Sequence, residues 1–485
     1  MPGRRRNPYP ILVVAALVPV FVLGGCWRFA DNRVPDPVDL DAAPDTSEGG
    51  GTTTPMTTPA LSVRRAPAVL ARDVNTSAFV EEVESFLPMV DSTSCVSVAV
   101  DGQPIAAKNA DVPLRPASNV KLITGAVAQQ VLGDDFTFVT RVRGDLQGGA
   151  VQGDLYLVGA GDPLLASEWW GGSNTKYPQF NETSIEALAQ SIVDAGVTSV
   201  TGSVIGDASH FDDEWYPPSW GDDVRFTEGG PVSGLLVNDS REAIDRSSND
   251  PVVGAATVLT EELVERGVTI GGAPGEGTAP GDMAELASVS SQPLRAILAE
   301  MLTTSDNNTA EMLLKELGVQ AGGGGTREAG LAVVTATLTD WGIPMTGVEL
   351  HDGSGLSDDN RMTCDALMAV VQHVSPTDSV GQGLAVAAQE GGTLSDAFVE
   401  TELAGVLRGK TGTLYNYEDG VGGRPAAKTL SGFVPVDGGG AVEFVLLLNG
   451  PQIAEQVEYR PIWDAFGEVL ATYPSGPTAA ELGPR

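Results

Sequence analysis

Three short stretches, far apart and in a fixed order, say more about this chain than its composition does. They are Pro116-Ala117-Ser118-Asn119-Val120-Lys121, then Ser305-Asp306-Asn307, then Lys410-Thr411-Gly412-Thr413. Pro116 breaks what precedes it. The apolar run to Leu132, stopped by Gly133, predicts a helix with Ser118 and Lys121 at its start. Residues three apart on a helix project from one face. Serine is inert until a base takes its proton, and lysine is a base only if burial or a neighbouring cation lowers its pKa. Each stretch alone has a bland alternative. Ser-x-x-Lys occurs on solvated helix faces, Ser-Asp-Asn suits a helix N-cap, and Lys-Thr-Gly-Thr suits a turn with a surface lysine. The chain has only six lysines, at 108, 121, 176, 315, 410 and 428, and two of them fall in the motifs. That scarcity argues against coincidence. A fold that uses all three stretches must bring remote segments around one cleft.

The 485 residues, 42% of them hydrophobic, suffice for two or three domains. With 64 acidic against 28 basic residues and a net charge of −36, nucleic acid is excluded as a partner, because phosphate binding needs a basic face. His210, His351 and His373, with three scattered cysteines, offer no metal spacing, and no cofactor is expected. Arg4, Arg5 and Arg6 precede a short apolar run at 11–23, which ends Leu23-Gly24-Gly25-Cys26. Two readings stand: a lipoprotein-like signal whose Cys26 is lipidated after cleavage, or an uncleaved signal-anchor. Both put the bulk of the chain outside the cytoplasmic membrane and tethered to it. Cys95 and Cys364 remain, either as a disulfide of an exported protein or as two separate buried thiols.

Segment 27–74, rich in Pro, Asp, Thr and Gly, reads as a disordered linker, and a helix is expected from about 76. Residues 95–100 alternate like a strand, Asp101-Gly102 is a hairpin turn, and 104–108 is the returning partner. From 136 to 285 short glycine-punctuated β segments dominate, with one helix at 184–195. This block reads as β-rich and inserted between the first and second motifs. Its Trp169 and Trp170, with Trp215 and Trp220, read as packing. Helices are expected at 294–302, 308–317, 328–341 and 364–374, with Ser305-Asp306-Asn307 in a break and a glycine-rich loop at 352–357. Strands at 430–434 and 442–448 and a helix at 451–472 close the fold. The division is then 1–26 (signal or anchor), 27–74 (linker), 75–135 with 286–475 (main domain), 136–285 (insert) and 476–485 (tail).

The ordered set S-x-x-K, S-D-N, K-T-G is the signature of penicillin-binding proteins and class A β-lactamases. The chain most resembles low-molecular-mass class C penicillin-binding proteins, the D-alanyl-D-alanine carboxypeptidase/endopeptidases. GDLYLVG at 153–159, VSGLLVND at 232–239 and DGSGLSDDNR at 352–361 carry the resemblance beyond the motifs, over about 76–475. The long stretch between Lys121 and Ser305 separates it from the β-lactamases. The resemblance implies an α+β fold: a transpeptidase/β-lactamase-like domain, its antiparallel sheet flanked by helices, with inserted domains. YNYEDGVGGRPAAK at 415–428 departs from the pattern by lengthening the connection after the third motif.

On this reading Ser118 attacks the carbonyl between two D-alanines of a peptidoglycan stem peptide and forms an acyl-enzyme. Lys121 is the base, kept neutral with help from Lys410. Ser305 relays a proton to the leaving amine, and Asn307 holds the peptide and orients Lys121. Asp306 serves as a cap. Lys410, Thr411 and Thr413 would bind the terminal carboxylate from an edge strand, where Gly412 lets the substrate backbone approach. The backbone N–H groups of Ser118 and Thr413 are the oxyanion donors. β-Lactams are the expected inhibitors. A serine β-lactamase and an inactive envelope binding protein are the alternatives. A Ser-His-Asp triad built on His351-Asp352 lacks a nucleophile elbow, so His351 reads as structural.

Overall fold

The strand Ala441–Gly450 reads AVEFVLLLNG and is buried along its whole length. A run apolar on both faces needs cover on both sides. It is an inner strand of a six-stranded antiparallel sheet, ordered Ala385–Val386, Arg408–Leu414, Ala426–Pro435, Ala441–Gly450, Cys95–Val100, Gln103–Lys108. Asp101 and Gly102 both take positive φ, 48° and 75°, as a two-residue hairpin turn requires. This computed structural model describes residues 66–173, 176–221, 224–225, 227–415, 426–436 and 440–482. The lipidation or anchor site at Cys26 and the segment 1–65 lie outside the described residues.

Helices cover both faces of the sheet. On one, Phe79, Phe86, Phe444, Trp463 and Phe466 form a core between the helices Ala66–Phe86 and Gln456–Leu470 and the sheet. On the other, Leu122, Leu298, Leu313 and Leu367 pack the helices Val120–Leu132, Leu294–Thr304, Asn307–Gln320 and Cys364–His373 together. Cys95 of the sheet is disulfide-bonded to Cys364 at the start of its helix. The architecture is the expected α+β sandwich of helix, sheet and helix.

Several boundaries move. The first helix begins at Ala66, so residues 66–74, expected as linker, form its opening turns. Pro67 stands there in the first turn, where its missing N–H is not needed. The tail expected from 476 is held at its start, because the Asn75 side chain accepts from Gly476 N–H and donates to the Pro477 carbonyl. The block after the first motif has its own core, among them Leu157, Leu188, Val204 and Leu259. It ends later than 285, because the strand Glu285–Ser290 pairs antiparallel with Val139–Arg143. That pairing sets the two ends of the block side by side. The block is also less purely β than expected. Leu155–Val158, Val204–Asp207 and Gly275–Glu276 run parallel, with the helices Ile185–Asp194 and Pro251–Glu265 in the connections.

Candidate active site

Ser118 lies in a 3₁₀ turn, Ala117–Asn119, that leads directly into the helix Val120–Leu132. Ala117 adopts φ 49°, which bends the chain sharply before the serine. The turn is clamped from two sides. A Cβ on Gly355 would fall 2.0 Å from the Ala117 carbonyl oxygen, and one on Gly412 would fall 2.9 Å from Ala117 Cβ and 3.0 Å from Ser118 N. From below, Asn119 donates to Thr429 Oγ1 (2.6 Å) and accepts from the Ser431 hydroxyl. Ser118 is thus fixed by the strand that carries the third motif and by its neighbour.

Lys121, in the first turn of the helix, is fully buried. Its Nζ contacts Ser118 Oγ at 3.0 Å, Asn307 Oδ1 at 2.5 Å and the Ser354 carbonyl oxygen at 2.8 Å. A neutral amine has two N–H donors and one lone pair. The two carbonyl oxygens can only accept, so they take the donors, and the lone pair is left for the Ser118 hydroxyl proton. Burial pushes Lys121 down to about 8, against the pull of Asp352, Asp306, Glu311 and Glu228.

The second motif fills the break between Leu294–Thr304 and Asn307–Gln320. Ser305 caps the first helix in the left-handed region, φ 67°. Asp306 caps the second, accepting from Thr309 N–H at 2.6 Å. Asn307 turns its Oδ1 to Lys121 because its Nδ2 donates to the Glu228 carbonyl at 2.6 Å. Lys410, also fully buried, donates to Ser305 Oγ and to the Thr411 carbonyl, both at 2.8 Å. Burial holds Lys410 well below the usual lysine range, with the positive charges of Lys121 and Lys428 adding to the effect. Burial is the largest cause for both amines, and the repulsion between them, which is mutual, disfavours a charge on both at once.

One reading of the third motif changes. Its strand, Arg408–Leu414, is not the edge of the sheet, because Ala385–Val386 pairs with it at Arg408 and Gly409. The pairing stops there, and Lys410 to Leu414 keep an outer edge clear of that strand. Gly412 has a second reason to be glycine, besides the substrate approach expected of it. A Cβ there would also fall 2.2 Å from Thr429 Oγ1, inside the support of the Ser118 turn. Ser118, Ser305, Asn307, Thr411, Gly412 and Thr413 line one cleft of about 630 Å³.

Sequence reasoning missed four contributors. The Ser354 carbonyl binds Lys121, and its loop is rigidly held. Glu311, buried, accepts from Ser354 N–H (2.7 Å) and Gly353 N–H (3.0 Å). Burial and the nearby Asp352 push the Glu311 carboxyl up to about 8. Asp352 accepts from Gly355 N–H (2.9 Å), Ser357 N–H (2.5 Å), Asn360 Nδ2 (2.8 Å) and Trp220 Nε1 (2.9 Å). The run DGSGLSDDNR marked this loop without revealing what it holds. Lys428, beside Thr413, is the fourth: its Nζ donates to Thr413 Oγ1 at 2.9 Å. His351 does not line the cleft, and its backbone N–H donates to Asn360 Oδ1 at 2.8 Å.

Known proteins share this sequence pattern and this fold. The sequence model of Peptidase S13, the D-Ala-D-Ala carboxypeptidase 3 (S13) family, matches residues 86–245 and 239–473. A D-alanyl-D-alanine carboxypeptidase of Actinomadura sp. (strain R39) is 29% identical over 460 residues, 76% of this chain and 80% of that protein. A carboxypeptidase of Mycobacterium tuberculosis is 32% identical over 334 residues, 66% of this chain and 70% of that protein. The crystal structure of penicillin binding protein 4 from Haemophilus influenzae has the same fold, with a TM-score of 0.65 at 20% identity, over 82% of this chain and 100% of that one. From the matched span and the three convergent motifs, the chain belongs to the D-Ala-D-Ala carboxypeptidase 3 (S13) family of serine peptidases.

Proposed function

We propose that the protein is a penicillin-binding serine D-alanyl-D-alanine carboxypeptidase that trims peptidoglycan stem peptides through an acyl-enzyme on Ser118. The observation that carries this is the coordination of Lys121. Two carbonyl oxygens use its donors, and its third contact is the Ser118 hydroxyl.

Ser118 Oγ gives its proton to Lys121 Nζ as it attacks the carbonyl carbon of the D-Ala-D-Ala bond. The carbonyl oxygen becomes the oxyanion, received by the backbone N–H groups of Ser118 and Thr413. The C–N bond then breaks. Ser305, hydrogen-bonded to Lys410, relays to the departing amine the proton that Lys121 took from Ser118, so Lys121 is again the free amine. Water then gives a proton to Lys121 as its oxygen attacks the ester carbonyl, and Lys121 passes that proton to Ser118 as the ester C–O bond breaks. Thr411 and Thr413 hold the terminal carboxylate, and Asn307 holds the peptide as well as Lys121. A cross-link cut between peptides uses the same steps. The Cys95–Cys364 bond supports an exported, extracytoplasmic protein, where such bonds persist and this substrate is found. The N-terminal segment would tether it to the membrane.

The test is incubation of the full chain with a D-Ala-D-Ala peptide, a cross-linked muropeptide dimer and a fluorescent penicillin. Release of D-alanine, with stable labelling that disappears in Ser118→Ala, supports the reading. Rapid turnover of the penicillin would make the protein a β-lactamase. No labelling and no turnover would make it a binding protein.

A further inference from the structure

Lys428 stands opposite Thr413 in the antiparallel pair of Arg408–Leu414 and Ala426–Pro435. Side chains directly opposite across such a pair share a face. Lys428 Nζ donates to Thr413 Oγ1 at 2.9 Å and lies 4.2 Å from the ring centre of Tyr459 and 5.1 Å from that of Trp463. The two rings form an aromatic floor that favours the charged amine. Among the described residues Nζ meets no carboxylate at ion-pair distance. Lys428 lines the catalytic cleft, and it also lines an adjoining one of about 570 Å³. A half-buried ammonium with a hydroxyl and an aromatic floor, but no ion-paired carboxylate among the described residues, can still take an anion from the cleft.

We propose that Lys428 determines specificity for a free terminal carboxylate, which its ammonium and the Thr413 hydroxyl grip together. This rests on the carboxypeptidase reading. Lys428 N–H occupies one lone pair of Thr413 Oγ1, which leaves the Thr413 O–H free to turn into the cleft and donate to a carboxylate. Burial lowers Lys428 to about 8, with Arg460 and Lys176 pushing the same way and Asp396 opposing. At neutral pH the amine is therefore mainly charged, and an arriving carboxylate supplies the missing anion. The motif alone contains no such cation facing the substrate, since Lys410 is committed to Ser305 and the Thr411 carbonyl.

The experiment compares one D-Ala-D-Ala peptide with its C-terminal amide, on wild type, Lys428→Met and Lys428→Arg. Wild type is expected to favour the free acid. Lys428→Met should lose about 10- to 100-fold in kcat/KM on the acid, mostly through KM, as expected for a charge-assisted hydrogen bond. It should change little on the amide, and Lys428→Arg should recover most of the loss. Equal turnover of acid and amide by wild type overturns the proposal. So does a Lys428→Met loss of the same size on both substrates, or no loss on the acid. The wild-type ratio and the arginine variant decide between these outcomes even if Lys428→Met unfolds. If wild type cleaves neither peptide and penicillin fails to label Ser118, the carboxypeptidase reading itself has failed. Normal cleavage of the acid with an unaltered acid-to-amide ratio in Lys428→Met isolates the failure to Lys428.

Discussion

The acylation of Ser118 should rise with pH, and the structure sets where. Lys121 acts only as the free amine, and burial brings its pKa to about 8. The neutral fraction is then about 1% at pH 6, about 10% at pH 7 and about half at pH 8. The second-order rate of labelling by a fluorescent penicillin should climb roughly tenfold per pH unit between 6 and 7.5, and flatten above about 8.5. The measurement is a stopped-flow or timed-quench series at constant ionic strength, with folding followed by circular dichroism at each pH. Lys428 loses its charge near the same pH, so the acidic limb carries the argument.

The carboxylates around Lys121 supply an internal control. Asp352, Asp306, Glu311 and Glu228 each stabilise its protonated form when they are ionised. Glu228→Gln removes one of them without touching the Glu228 carbonyl, the group that Asn307 binds. With less negative charge nearby, the proton leaves more readily, so the rising limb should move to lower pH. Lys121→Met should lower the rate by about 10²–10⁴ and abolish the limb. A labelling rate that is flat between pH 6 and 8, or one that falls, would refute Lys121 as the proton acceptor. A limb that moves upward in Glu228→Gln would refute the electrostatic account.

Other outcomes follow from packing and hydrogen bonding. Gly412→Ala forces a methyl into Thr429 and Ala117, so the melting temperature should fall by the equivalent of about 1–3 kcal/mol, and labelling should slow as the Ser118 turn is displaced. Glu311→Gln should be tolerated near pH 7, because the buried carboxyl is pushed up to about 8 and an amide oxygen can accept the same N–H groups. Glu311→Ala leaves the N–H groups of Gly353 and Ser354 unpaired, at about 1–3 kcal/mol each in thermal or urea unfolding, and should lower kcat by loosening the Ser354 carbonyl. Replacing Cys95 and Cys364 with alanine should destabilise the fold by about 2–5 kcal/mol. Equal free-thiol counts before and after reduction would show that the bond does not form.

What could be read beforehand, and what could not, divides along a physical line. Ser118, Lys121, Ser305, Asn307 and Lys410 announce themselves because the chemistry demands those side chains, and spacing within a motif fixes their local geometry. The strands expected at 95–100 and 442–448 were equally open, though the alternation in the first suggests one buried face and the structure buries both, because helices cover the sheet on each side. The helix Pro251–Glu265 could have been found, because Asp250 followed by Pro251 is a helix-start signal. The rest had no local mark. The Ser354 group that fixes Lys121 is a backbone carbonyl, and every residue has one. Burial, which sets the Lys121 pKa, arises only when Leu294–Thr304 and Asn307–Gln320 close over the first motif. Lys428 depends on the register of two strands across a connection of unusual length, so its distance from Thr413 along the chain carried no information. A useful rule emerges from Lys121. Once a motif names a base, its donors and lone pair have to be accounted for one by one, and any partner that the motifs fail to supply must come from backbone or from strand register. Applied to the terminal carboxylate, the same accounting asks for a cation that Lys410 cannot spare, and Lys428 is the residue placed to supply it.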